Sequence, residues 1–163
     1  MMKLLKIAAL AMLLFAGLPA SARDLSPDNL RITLASEHVN SDADLNEVNP
    51  GLVATWEGDL FDFSAGFVRN SFGNNAPIVT ISRDIWHNDT CSVAGFVGSA
   101  RYTELMEKTD FHLDGWIPVG GMHVECGRVF LQAMPGRGIV GQASGPKAAD
   151  AILVVGITLE LDK

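Results

Sequence analysis

The sequence predicts an all-β chain folded as an eight-stranded antiparallel up-and-down β-barrel of the outer-membrane type, and three observations carry that expectation. Strand-like runs separated by turn residues recur from residue 30 onward, with no helical period sustained over three turns. The connections between those runs alternate between short turns and longer loops. In the last run Leu153, Val155, Ile157, Leu159 and Leu161 form an unbroken apolar row, while Val154, Gly156, Thr158 and Glu160 fall on the opposite face. The competing architectures are a soluble barrel of lipocalin type, with its apolar rows turned inward, and a β-sandwich.

The chain opens with MMKLLK, continues through the apolar run IAALAMLLFAGL and reaches the small-residue site Ala20-Ser21-Ala22. That pattern predicts a secretory signal peptide over residues 1–22, cleaved after Ala22. The apolar run is shorter than the roughly 20 residues a spanning helix needs. Residues 23–163 are then a single domain by length. Asp and Glu number 19 against 12 Lys and Arg, a formal charge of −7, and the signal segment removes Lys3 and Lys6 but no acid. An acidic surface without clustered cations excludes nucleic acid as a partner. Cys91 and Cys126, an even pair in an exported chain, are expected to form a disulfide, and they lack the Cys/His spacing of a zinc site.

In chain order the expected strands are 30–40, 51–57, 60–70, 77–86, 91–103, 115–125, 128–134 and 150–161. The first carries His38 near its end, in ASEHVN, and a long acidic loop with Asp42, Asp44 and Glu47 follows. Those carboxylates lack EF-hand spacing and read as a solvated loop. The second strand follows Pro50 and leads through the short Gly58-Asp59 turn to the third, LFDFSAGFVRNS. There Phe61, Phe63, Ala65 and Phe67 share one face, and Asp62, Ser64, Gly66 and Val68 the other. The strand ends in a polar pair, Asn70-Ser71, before the turn run FGNNAP. The fourth and fifth strands flank residues 87–90, and a single helical turn fits within 102–108. The sixth and seventh flank Cys126-Gly127, and the long Gly-rich stretch before the eighth lacks the strand-to-helix setting of a phosphate loop. Trp56 and Trp86 near turn-side ends, and Trp116 at a loop-side start, occupy interface positions.

This register gathers His38, Asn70, Ser71, Asn46, Glu47 and His112 at the loop-side rim, and puts His87 and His123 at the turn side as interfacial or solvated groups. A His, a hydroxyl and a carboxamide at one rim suit acyl transfer, with the imidazole taking a hydroxyl proton.

The order and spacing of several short elements resemble the lipid A palmitoyltransferase (PagP) superfamily. These are the His of SEHVN, the run Asn46-Glu47-Val48-Asn49-Pro50-Gly51, the strand end VRNSFGNNAP, and Met134-Pro135-Gly136 closing the seventh strand. The resemblance covers most of the chain from about residue 32. It implies an outer-membrane barrel, monomeric and cofactor-free, that moves an acyl chain from a phospholipid to lipid A. His38 would be the general base and Ser71 the hydroxyl partner, while Asn70 stands where the family has Asp and would orient the His. An amide there supplies hydrogen bonds but no charge. Asn46, Glu47 and Arg137 would contact the lipid substrates, and Ser64, Gly66 and Gly98 would leave room inside for the acyl chain. No metal is implied. The alternative reading is a non-enzymatic barrel of the outer membrane or periplasm with a lipid-binding or structural role.

Overall fold

The computed structural model describes residues 25–105, 113–136 and 149–162. The expected signal peptide, His112 and Arg137 lie outside them. Eight strands form: β1 (Asn29–Val39), β2 (Val48–Trp56), β3 (Asp62–Arg69), β4 (Asn75–His87), β5 (Cys91–Arg101), β6 (Trp116–Cys126), β7 (Val129–Pro135) and β8 (Ala151–Glu160). Every sequential pair is antiparallel, and β1 also pairs with β8, so the sheet closes into a barrel with no free edge. One 3-10 turn, Thr103–Leu105, occupies the start of the stretch in which a helical turn was expected.

Burial follows the strand period of two. Along β8, Val154, Gly156 and Thr158 are buried, while Val155 and Leu159 are exposed. The expected apolar row therefore lies outside. On β3, Phe63 and Phe67 are exposed and Ser64 is buried. The interior is largely polar: Asn29, Thr33, Ser36, His38, Asn49, Thr55, Ser64, Ser82, His123 and Thr158 are all buried. Several of these groups bond to one another, as in the 3.0 Å contact between the Thr55 and Ser64 hydroxyls. Leu34, Leu52, Phe63, Phe67, Val97, Leu131, Val155 and Leu159 face outward instead.

The connections after β1, β3, β5 and β7 share one end, and those after β2, β4 and β6 share the other. At the turn end Cys91 and Cys126 are cross-strand partners with Cα atoms 4.1 Å apart, and they form the expected disulfide. His87 is exposed there. His123 departs from the expectation: it is 3 % exposed and lies inside the barrel. Its Nε2 is 3.1 Å from Glu125 Oε2, and its ring stacks on Phe130. Thr158 Oγ1 donates to the same carboxylate oxygen at 2.9 Å, and Arg31 Nε lies 3.8 Å from it. An imidazole inside a barrel needs partners, and this network supplies them.

Gly66 and Gly98 also differ from the expectation of empty space. A Cβ on Gly66 would come within 2.2 Å of the Leu52 carbonyl oxygen, and one on Gly98 within 2.1 Å of that of Val79. These glycines are required by the close approach of neighbouring strands, so they admit backbone and leave no room for an acyl chain.

Candidate functional site at the loop rim

His38 reaches the site because β1 is bulged. Its ladder with β8 runs Thr33 to Gly156 and then Ala35 to Val155, so Leu34 has no partner of its own and faces outward. The extra residue reverses the alternation. Thr33 points inward, and beyond the bulge Ser36 and His38 point inward as well. Without it, a side chain five positions after Thr33 would face out.

Ser71 comes from the turn after β3, and His38 Nε2 lies 2.7 Å from its Oγ. The imidazole is 8 % exposed, and its Nδ1 has no hydrogen-bond partner among the described residues. Which partner carries the shared proton depends on the tautomer. With the proton on Nδ1, Nε2 is free to accept one from a hydroxyl, which is the arrangement a general base requires.

Asn70 does not serve His38 in this arrangement. Its Oδ1 accepts the backbone N–H groups of Phe72 at 3.0 Å and Asn74 at 2.9 Å. Its Nδ2 donates to both carboxylate oxygens of Glu104, each at 3.3 Å. Asn74 Nδ2 donates to Glu104 as well. Asn70 is thus an Asx clasp that shapes the turn carrying Ser71, and Glu104 ties that clasp to the segment after β5. Gly73, at φ +84°, supplies the left-handed residue within the turn.

The loop after β1 closes the other side. Asn46 N donates to the Ser71 carbonyl at 2.8 Å, and Ser36 N donates to the Glu47 carbonyl at 2.8 Å. Asn46 Nδ2 turns back to the Val48 carbonyl. The Glu47 carboxylate is exposed. Below the pair, Asn49 accepts from Ser36 Oγ at 2.8 Å and donates to the Arg69 carbonyl at 3.0 Å. Sequence reasoning brought His38, Asn70, Ser71, Asn46 and Glu47 to this rim. It named Asn49 only within the run Asn46 to Gly51 and gave it no role, and it missed Glu104, whose only signal was proximity to a strand end.

Pairing between β6 and β7 ends at Met122 and Ala133, which leaves residues 116–121 of β6 without partners on β7. Pro118 and Pro135 lie in the upper stretches of these two strands and have no N–H to give a ladder. The sheet is therefore interrupted on the loop side between β6 and β7. Among the described residues no group of three His, Cys, Asp or Glu side chains is arranged to hold a metal ion. No protein-family model matches the chain, and no curated protein matches it either.

Proposed function

We propose that this chain is an outer-membrane β-barrel that binds membrane lipid. The observation that carries this reading is the reversed polarity of the barrel, with hydroxyl, amide and imidazole groups inside and leucine, valine and phenylalanine outside. In water such a surface exposes apolar side chains on every strand, whereas in a bilayer the same surface is matched to its solvent. The interruption of the β6–β7 ladder above Met122 and Ala133 gives an acyl chain a lateral route toward the rim. Expression with a cleavable leader should place the protein in the outer-membrane fraction, with heat-modifiable migration in detergent. Recovery as a soluble periplasmic protein would refute the reading.

A second reading, acyl transfer between lipids, is favoured by the His38–Ser71 contact of 2.7 Å. In it, His38 Nε2 takes the proton of an acceptor hydroxyl as that oxygen attacks the donor ester, and the Ser71 hydroxyl supports the charge on the carbonyl oxygen. A new ester forms as the old one breaks, and the imidazolium returns its proton to the leaving oxygen, which gives a lysophospholipid and restores neutral His38. The substrates fitting this reading are a phospholipid donor and lipid A or a related glycolipid acceptor. Mass spectrometry of lipids from cells expressing the wild type, His38→Ala and Ser71→Ala distinguishes the two readings. An added acyl chain seen only with the wild type supports transfer, while unchanged lipids in all three leave a lipid-binding barrel.

A further inference from the structure

The outer face carries a trough away from the rim site. It crosses β4, β5, β6 and β7, with a volume of about 430 Å³. Val97 and Gly120 are partners in the β5–β6 ladder and line its middle, with Gly95 beside them and Pro135 at the far side. At Gly95 a Cβ would meet only Ile85 Cδ1, at 3.4 Å, so the missing side chain leaves open space and relieves no backbone clash. This volume falls within the range of roughly 300–1,000 Å³ typical of small-ligand sites.

One end of the trough is charged. Arg83 faces outward from β4, with its guanidinium carbon 5.7 Å from the ring centroid of Phe61. Among the described residues it makes no salt bridge. Phe61 belongs to the turn between β2 and β3, so this end lies toward the turn side of the barrel, and the apolar floor runs from there toward the middle of the wall. A cation at the margin and an apolar channel leading inward match the head-to-tail order of a phospholipid. A guanidinium also suits a phosphodiester, which it grips through paired N–H donors.

We infer that the trough binds one phospholipid of the leaflet at the turn side, its phosphate on Arg83 and one acyl chain over Gly95, Val97 and Gly120. This rests on the barrel's membrane placement but not on any reaction at the rim. The phosphate contact and the chain contact are separable, so two variants test them independently. Arg83→Gln removes the charge, and Gly95→Leu fills the floor without meeting backbone.

Native mass spectrometry of the detergent-purified protein, titrated with dioleoylphosphatidylglycerol or with dioleoylglycerol, reads occupancy directly. The wild type should retain one phosphatidylglycerol, and Arg83→Gln should weaken that binding roughly tenfold while leaving dioleoylglycerol unaffected. Gly95→Leu should weaken both lipids. Equal phosphatidylglycerol occupancy in all three proteins, each showing heat-modifiable migration, overturns the trough and leaves the membrane reading standing. Wild-type protein that is soluble and not heat-modifiable overturns both.

Discussion

Glu104 connects two separate parts of the rim, because Asn70 and Asn74 donate to its carboxylate from the turn that carries Ser71. Burial by itself raises the carboxyl's pKa, but hydrogen bonds from its own backbone amide and from Asn74, Asn70 and Thr103 outweigh that and hold it below the usual range. The folded value is depressed, so the stabilisation is complete above the ordinary carboxylate range and is lost as the pH falls through the lowered folded value. In an NMR titration the Asn74 side-chain amide should report a midpoint below 4.5, and a midpoint at or above 4.5 would contradict the clasp. Glu104→Ala should cost about 1 kcal/mol in urea unfolding, discounted because the group is partly exposed. Beside it, burial and then the Glu104 charge push the Tyr102 phenol up to about 12. Tyr102 is the chain's one tyrosine, so ultraviolet absorbance should show no tyrosinate near pH 10 and a single rise near pH 12.

At the scale of elements, the number, order and direction of all eight strands were legible in the sequence, because turn residues punctuate period-two runs. The ends moved by a few residues, most at β2, which begins at Val48 ahead of Pro50. Proline reads as a breaker in sequence but is tolerated where a ladder is interrupted, as it is here. The bulge at Leu34 was not legible, since ITLASEH shows no local mark of it, and it alone turns His38 inward. Recognising His38 and Ser71 as neighbours depended on the shared rim, while their hydrogen bond depended on that one extra residue. The Cys91–Cys126 pair was legible from parity and register. It closes a sequence separation of 35 residues, so replacing both cysteines by serine should cost about 2–5 kcal/mol. Denaturant unfolding of the double variant checks this, and an unchanged midpoint would show that the strand pairing alone holds the turn end.

Over the whole molecule, polarity decides between architectures that share the same alternation. A lipocalin-type barrel and an outer-membrane barrel both read as alternating strands, and which row faced inward followed only once the barrel closed. The polar row then became the interior, held by contacts such as Thr55 to Ser64, Ser36 to Asn49 and His123 to Glu125. His123 was misplaced from sequence because nothing local distinguishes an interfacial imidazole from one paired with Glu125 inside a barrel. Reading Gly66 and Gly98 as spare room failed for a related reason, since small side chains mark both cavities and close strand approach. The most direct test of the account places a nitroxide at each position from 153 to 159 in turn, in the protein reconstituted into bilayers, and measures accessibility to oxygen. Accessibility should alternate, high at Val155 and Leu159 and low at Val154 and Thr158, whereas a flat profile or the opposite phase would contradict a barrel whose apolar face meets lipid.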